Sequence, residues 1–357
     1  MKKKFLVGLV TGLSMVYMVS MASATSYVGY MNSVTTAADA MVAAQNNDGS
    51  FDWENDGDPT DSGPNNTQGA TVRGLLAAYK TTGNTAYLDA ANKNADWIIA
   101  NNPSGMYNKD VIFLYELAAA GGTDYTTEAA ASAITYINDN ISQTGAVTGA
   151  DAVYKRYEDA GTLDGLKYWM IGEWGDVGRL LGDIEIYAGY TGDDMAQGIG
   201  TLLNDDFLTY SADLSVDPYE TDSTLGFVGI LEGLEAGIGS GGTYTNTQNV
   251  IDTLANRVET GIGTDGWQSL GYATYALSLF DDEASLTGRD VLAEWITDGY
   301  FYTGTDAYLE SMGEALLGLS SAAAPVPEPA TMLLFGTGIA GLAGGSRIRR
   351  KKKASST

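Results

Sequence analysis

The feature that most constrains this chain is a recurring helical periodicity in which every second run is crowded with small residues. Val177, Leu180, Leu181, Ile184 and Tyr187 form one apolar stripe at i, i+3, i+4, i+7 spacing, and Val72, Leu75, Leu76 and Tyr79 form another. Clusters of Gly, Asn, Asp and Thr separate the runs, and no long alternating stretch argues for a strand. The runs pair as 27–44 with 67–82, 85–101 with 109–120, 125–140 with 176–190, 193–209 with 223–238, 245–260 with 267–280, and 286–298 with 306–319. These make six hairpins of about 50 residues each, and internal echoes support a repeat. Ala95-Asp96-Trp97-Ile98 returns as Ala293-Glu294-Trp295-Ile296, and Asn47-Asp48-Gly49-Ser50-Phe51 as Thr264-Asp265-Gly266-Trp267.

The second run of the first pair holds Gly69, Ala70, Gly74, Ala77 and Ala78; that of the fourth holds Gly226, Gly229, Gly233, Ala236 and Gly237. Glycine costs about 1 kcal/mol in a helix interior, so its repeated use points to backbones that must approach closely. The second helices are expected to form a crowded inner ring, and the bulkier, more charged first helices an outer one. The expected fold is all-α: an (α/α)6 barrel, or toroid, of six helical hairpins. An open α-solenoid is the alternative.

The segment from Leu75-Leu76-Ala77-Ala78-Tyr79 through Thr82-Gly83-Asn84, Tyr87-Leu88, Ala90-Ala91 and Ala95-Asp96-Trp97-Ile98 resembles the α/α-toroid superfamily. That group includes six-hairpin glycosidases, polysaccharide lyases and terpenoid-cyclase-like toroids. Gln45 to Phe51 resembles the Gln…Asp-Gly…Trp turn of those toroids, with Phe51 where Trp is usual. These motifs speak for fold and identify no reaction.

The two ends read as sorting signals. Lys2-Lys3-Lys4, an apolar run from Phe5 to about Val19 and Ala22-Ser23-Ala24 have the three parts of a secretory signal peptide, with cleavage expected after Ala24. At the other end Val326-Pro327-Glu328-Pro329-Ala330 precedes an apolar stretch, a transmembrane segment over about 331–345, and a basic cluster at 347–353. This arrangement resembles the PEP-CTERM sorting tail of Gram-negative bacteria. The resemblance implies recognition by an exosortase in the inner membrane, removal of the tail, and export to the cell surface or extracellular matrix. Signal peptide 1–24, toroid domain 25–322 and sorting tail 323–357 are the expected divisions.

Charge and missing residue types narrow the chemistry. Between the signals remain ten Lys and Arg against 44 Asp and Glu, a charge near −34. Such a surface repels nucleic acid and anionic lipid, and suits neutral sugars, divalent cations or solubility alone. The sequence has no His and no Cys. Histidine-based triads and histidine-ligated zinc are therefore excluded, and chemistry falls to carboxylates, Tyr, Lys, Arg or a bound hard cation.

The loops that lead into second helices are rich in carboxylates beside aromatics. The first runs from Asp48 to Asp61 and holds Asp52, Trp53, Glu54, Asp56 and Asp58; the third ends Glu173-Trp174-Gly175-Asp176. The fourth offers Asp222 and the fifth Asp265 and Trp267. A closed ring would bring Asp48, Asp52, Trp53, Glu54, Glu173, Trp174, Asp176, Asp222, Asp265 and Trp267 to one rim. Aromatic faces stack on sugar C–H faces, and carboxylates bond hydroxyls or serve as acid and base in glycoside hydrolysis. Glu173, beside Trp174, is the expected acid, with Asp52 or Asp222 as base. The plainer reading makes Asp176 and Asp222 helix caps, and Trp53, Trp174 and Trp267 packing plugs. Arg73, early in a second helix, could meet a sugar carboxylate or only neutralise nearby acids. The run Asp52-x-Glu54-x-Asp56-Gly57-Asp58 approximates a calcium loop. Its twelfth position is Gly63 rather than Glu, which speaks against an EF-hand but leaves a looser calcium site open.

Two functions follow: a carbohydrate-active hydrolase or lyase that needs no cofactor, and a non-catalytic polysaccharide-binding matrix protein. The absence of His weakens the lyase branch more than the hydrolase branch. Terpene cyclisation is disfavoured, because the sequence has no Asp-x-Asp-Asp run and isoprenoid substrates are not expected outside the cell.

Overall fold

The computed structural model describes residues 30–55, 67–102, 106, 108–132, 186–187, 190–191, 228, 231–232, 247–260, 267–280, 282–296, 299–300 and 307–321. Among them run helices α1 (residues 30–44), α2 (Gln68–Thr82), α3 (Thr85–Asn101), α4 (Asn108–Ala119) and α5 (residues 126–132). After a short β pair come α6 (Thr247–Thr260), α7 (Trp267–Ser278), α8 (Ala284–Glu294) and α9 (Leu309–Ser321).

Burial separates inner helices from outer ones. In α2 every residue from Gln68 to Ala78 is buried, and in α9 Leu309 and every residue from Met312 to Ser320. The outer α3 buries only Tyr87, Ala90, Ala91, Asn94, Ala95 and Ile98, one amphipathic stripe. Glycines set the inner spacing. A Cβ on Gly74 would fall 2.1 Å from the Gly313 carbonyl oxygen, and one on Gly271 2.3 Å from that of Glu314. The small residues thus let α9 seat its backbone directly on α2 and α7.

The same contacts close the ring. α9, of the last hairpin, packs on α2 of the first and on α7 of the fifth; α2 packs on α4 of the second. Thr71 and Gly74 lie at Gly313, and further along Thr81 Oγ1 donates to the Ser320 carbonyl at 3.1 Å, so α2 and α9 run parallel. In the outer layer Tyr87 of α3 donates to Asp39 of α1 at 2.9 Å, and Arg289 of α8 lies over the Tyr30 ring of α1 at 3.6 Å. The first hairpin therefore has the second on one side and the last on the other. An open solenoid cannot do this; the chain is an α/α toroid.

One expectation is corrected. The run 176–190 does not stay helical to its end: Ile186–Tyr187 and Tyr190–Thr191 form a two-stranded antiparallel ladder pairing Ile186 with Thr191 and Tyr187 with Tyr190. Ile186, Tyr187, Tyr190 and Thr191 are all strand-favouring types, and their pairing overrides the helical stripe. Most of the third and fourth hairpins, the signal peptide and the sorting tail lie outside the described residues. Among the described residues no helix is long and apolar enough to cross a membrane, and segment 331–345 is not among them.

Candidate functional site

Among the described inner helices α2, α4 and α9 run in the same direction, so the segments entering them share a rim. The first loop is built on a polar frame. Gln68 holds both sides of the buried Phe51, accepting from its backbone N at 2.9 Å and donating to its carbonyl at 2.8 Å. Asn94 Nδ2 donates to the Gly49 carbonyl at 3.0 Å and to Gln68 Oε1 at 2.9 Å. Gly49 has φ 98°, and a Cβ there would meet the Lys93 carbonyl oxygen at 2.3 Å. Phe51 is therefore the plug, and the Asp48-Gly49-Ser50-Phe51 turn is chiefly a structural device.

The expected site residues divide accordingly. The Asp48 carboxylate accepts from Ser50 Oγ at 2.7 Å and Ser50 N at 3.0 Å, and the Ser50 hydroxyl holds it below its usual pKa. Asp52 accepts from Asn46 Nδ2 at 2.8 Å. Trp53 is 42% exposed and so is no plug. Its ring stands edge-on to Tyr308, with centroids 6.2 Å apart. Leu309 N donates to the Trp53 carbonyl at 3.0 Å, Asn55 N to the Ala307 carbonyl at 2.9 Å, and Glu54 forms a bridge with Tyr308. The loop is thereby laced to the start of α9. Glu173, Trp174, Asp176, Asp222 and Asp265 lie outside the described residues, as do Asp56 and Asp58; Trp267 opens α7, but its side chain is not described. Asp52 and Glu54 are thus the described part of the calcium loop, and among the described residues no group of three acidic or other metal-ligating side chains comes together.

Deeper in the ring lies a charged group that the sequence reading reached only through Arg73. The Arg73 side chain is wholly buried. It donates from Nε and Nη2 to Glu116 at 3.1 Å each, from Nη2 to Glu232 at 2.6 Å, and to the Tyr275 hydroxyl at 3.2 Å. Lys109 Nζ pairs with Glu232 at 3.4 Å and stands 4.9 Å from the Tyr272 ring centre. Burial alone would depress the Arg73 pKa, but Glu116 and then Glu232 hold it well above the usual value. The signal for this group was available: Glu116 and Glu232 each stand within an apolar stretch of a second run, Phe113-Leu114-Tyr115-Glu116-Leu117 and Val228-Gly229-Ile230-Leu231-Glu232. Asp110, fully buried, accepts from Gly69 N at 2.8 Å and satisfies a free amide at the start of α2.

One more residue of the rim was missed. Burial pushes the Glu310 carboxyl, in the first turn of α9, up to about 7.

Together these features define a helical-hairpin toroid with an acidic, aromatic-bearing rim over a charge-paired interior. The PEP-CTERM protein-sorting motif matches residues 325–350. The chain carries that sorting motif, which marks it for processing by an exosortase and export to the cell surface of a Gram-negative bacterium. No curated protein sequence matches the chain. Among solved structures it is similar to the type II terpene cyclase MstE from Scytonema. Two variants, one with the product merosterolic acid A and one with the substrate geranylgeranyl dihydroxybenzoate, each show 13% identity, cover 83% of this chain and 98% of that one, and have a TM-score of 0.48. It is also similar to an inactive variant of the alpha-1,6-mannanase GH76A of Salegentibacter sp. HEL1_6 with alpha-1,6-mannotriose, at 11% identity, 82% and 99% coverage and a TM-score of 0.40.

Proposed function

We propose that the exported domain acts on polysaccharide at the rim around Trp53, as a glycoside hydrolase or lyase using carboxylates. The observation that carries this reading is Trp53 itself: a 42% exposed indole, braced by Tyr308 and set between Asp52 and Glu54 on a rim. An exposed aromatic braced in this way offers a stacking face for a sugar ring, and carboxylates beside it can bond hydroxyls. Glu173, Trp174, Asp176, Asp222, Asp265 and Trp267 complete the rim in this proposal. The chemistry needs no cofactor. A calcium ion on Asp52, Glu54, Asp56 and Asp58 would stiffen the loop.

A second reading, non-catalytic binding in the surface matrix, is favoured by one observation. Asp48 and Asp52 both spend hydrogen-bonding capacity inside their own loop. Retention of the protein on extracted matrix polysaccharide tests the shared claim: Trp53→Ala should weaken it several-fold without loss of fold. Unchanged retention would sink both readings, and released oligosaccharide decides between them.

A further inference from the structure

We propose that Glu310 is the proton donor of this rim, the carboxylic acid that protonates the departing glycosidic oxygen; the inference rests on the polysaccharide-active reading above.

Its neighbours in the chain support this. The loop bearing Trp53 is fastened by backbone hydrogen bonds to Ala307 and Leu309 and by a bridge to Tyr308, the three residues immediately before Glu310. Glu310 lies in the first turn of an inner helix, two residues after Tyr308, against which the Trp53 ring stands. Residues four apart share a helix face, about 5–6 Å between Cβ atoms, so Glu310 stands one turn above Glu314, which is 1% exposed. Two carboxyls therefore lie one turn apart on α9. The charged and titratable groups of the helices packed on α9 include Arg73 on α2, Tyr272 and Tyr275 on α7, and Arg289 on α8. Arg73 is matched by Glu116 and Glu232, and Arg289 by Asp290. Burial keeps Glu310 protonated to about pH 7, as an acid at this site requires.

In the step, the Glu310 proton passes to the glycosidic oxygen as the bond from that oxygen to the anomeric carbon breaks. Water adds its oxygen to the anomeric carbon and gives a proton to a rim carboxylate. Solvent exchange returns a proton to Glu310. One water is consumed, two sugar ends with free hydroxyls result, and nothing is oxidised or reduced.

Leaving-group dependence tests the assignment. Wild type, E310Q and E310D, recovered from the cell surface, would be assayed on extracted matrix polysaccharide. The second substrates would be 2,4-dinitrophenyl glycosides of its component sugars, whose leaving group needs no proton. E310Q should lose about 100-fold or more in kcat on polysaccharide. It should lose under about 10-fold on the dinitrophenyl glycosides, and the alkaline limb near pH 7 should vanish. E310D, which keeps an acid, should retain part of the polysaccharide turnover, and stands in should E310Q melt early. Equal losses on both substrates, or none, would overturn the role of Glu310 and leave the polysaccharide reading intact. A wild type that releases no sugar from any substrate would overturn the catalytic reading itself.

Discussion

Arg73 Nη2 and Glu232 Oε1 meet at 2.6 Å across 159 residues of sequence, tying the first hairpin to the fourth inside the ring. Both side chains are wholly buried. Removing Glu232 leaves the buried Arg73 guanidinium with Glu116 as its carboxylate partner, so the loss is that of one buried charge-assisted bond, about 1–3 kcal/mol. Glu232→Ala should lower stability by that amount in chemical denaturation, and a change under about 1 kcal/mol would mean the pair is hydrated and weak.

The inner seam predicts a second loss. Gly74→Ala would set a methyl 2.1 Å from the Gly313 carbonyl oxygen, a backbone atom that cannot rotate away. The better helix propensity of Ala contributes at most about 1 kcal/mol. Overpacking should outweigh it and leave a net cost of roughly 1–3 kcal/mol, read as a lower melting temperature.

Glu310 gives stability a pH dependence of known sign. Its pKa is about 7 in the folded chain against an ordinary 4.5. The unfolded chain therefore ionises first as pH rises, and stability falls between about pH 4.5 and 7. The difference amounts to roughly 3 kcal/mol above pH 7. Glu310→Gln should flatten that slope and be the more stable protein at pH 8. Parallel stability curves for the two proteins across this range would contradict it.

Processing is checked by mass. Protein taken from the cell surface should lack residues 1–24 and everything beyond about Pro327. A surface form that still holds the basic cluster 347–353 would show that the matched motif does not direct cleavage here.

Much of the fold was legible because its causes are local or periodic. Apolar spacing located the helices, and the glycines of the second runs announced close contact before Gly74 and Gly313 were seen to touch. The end of the run at 176–190 was misread because Ile186 and Tyr187 satisfy a helical stripe as well as a strand ladder. The site was harder to read. Asp48, Asp52 and Trp53 look alike in sequence as rim residues, yet Ser50 and Asn46 engage the carboxylates while the indole faces solvent. Glu310 carries no motif at all. Its character comes from burial, a property of neighbours that sequence spacing does not record.

The glycine seam between α2 and α9 also sets when this protein can fold. It joins residues 68–82 to residues 309–321, almost the full length of the domain. A chain crossing a membrane from its N-terminus delivers α9 near the end, so α2 waits for its partner with its apolar surface open. Contacts of such sequence separation slow folding. Until α9 emerges the chain stays unclosed.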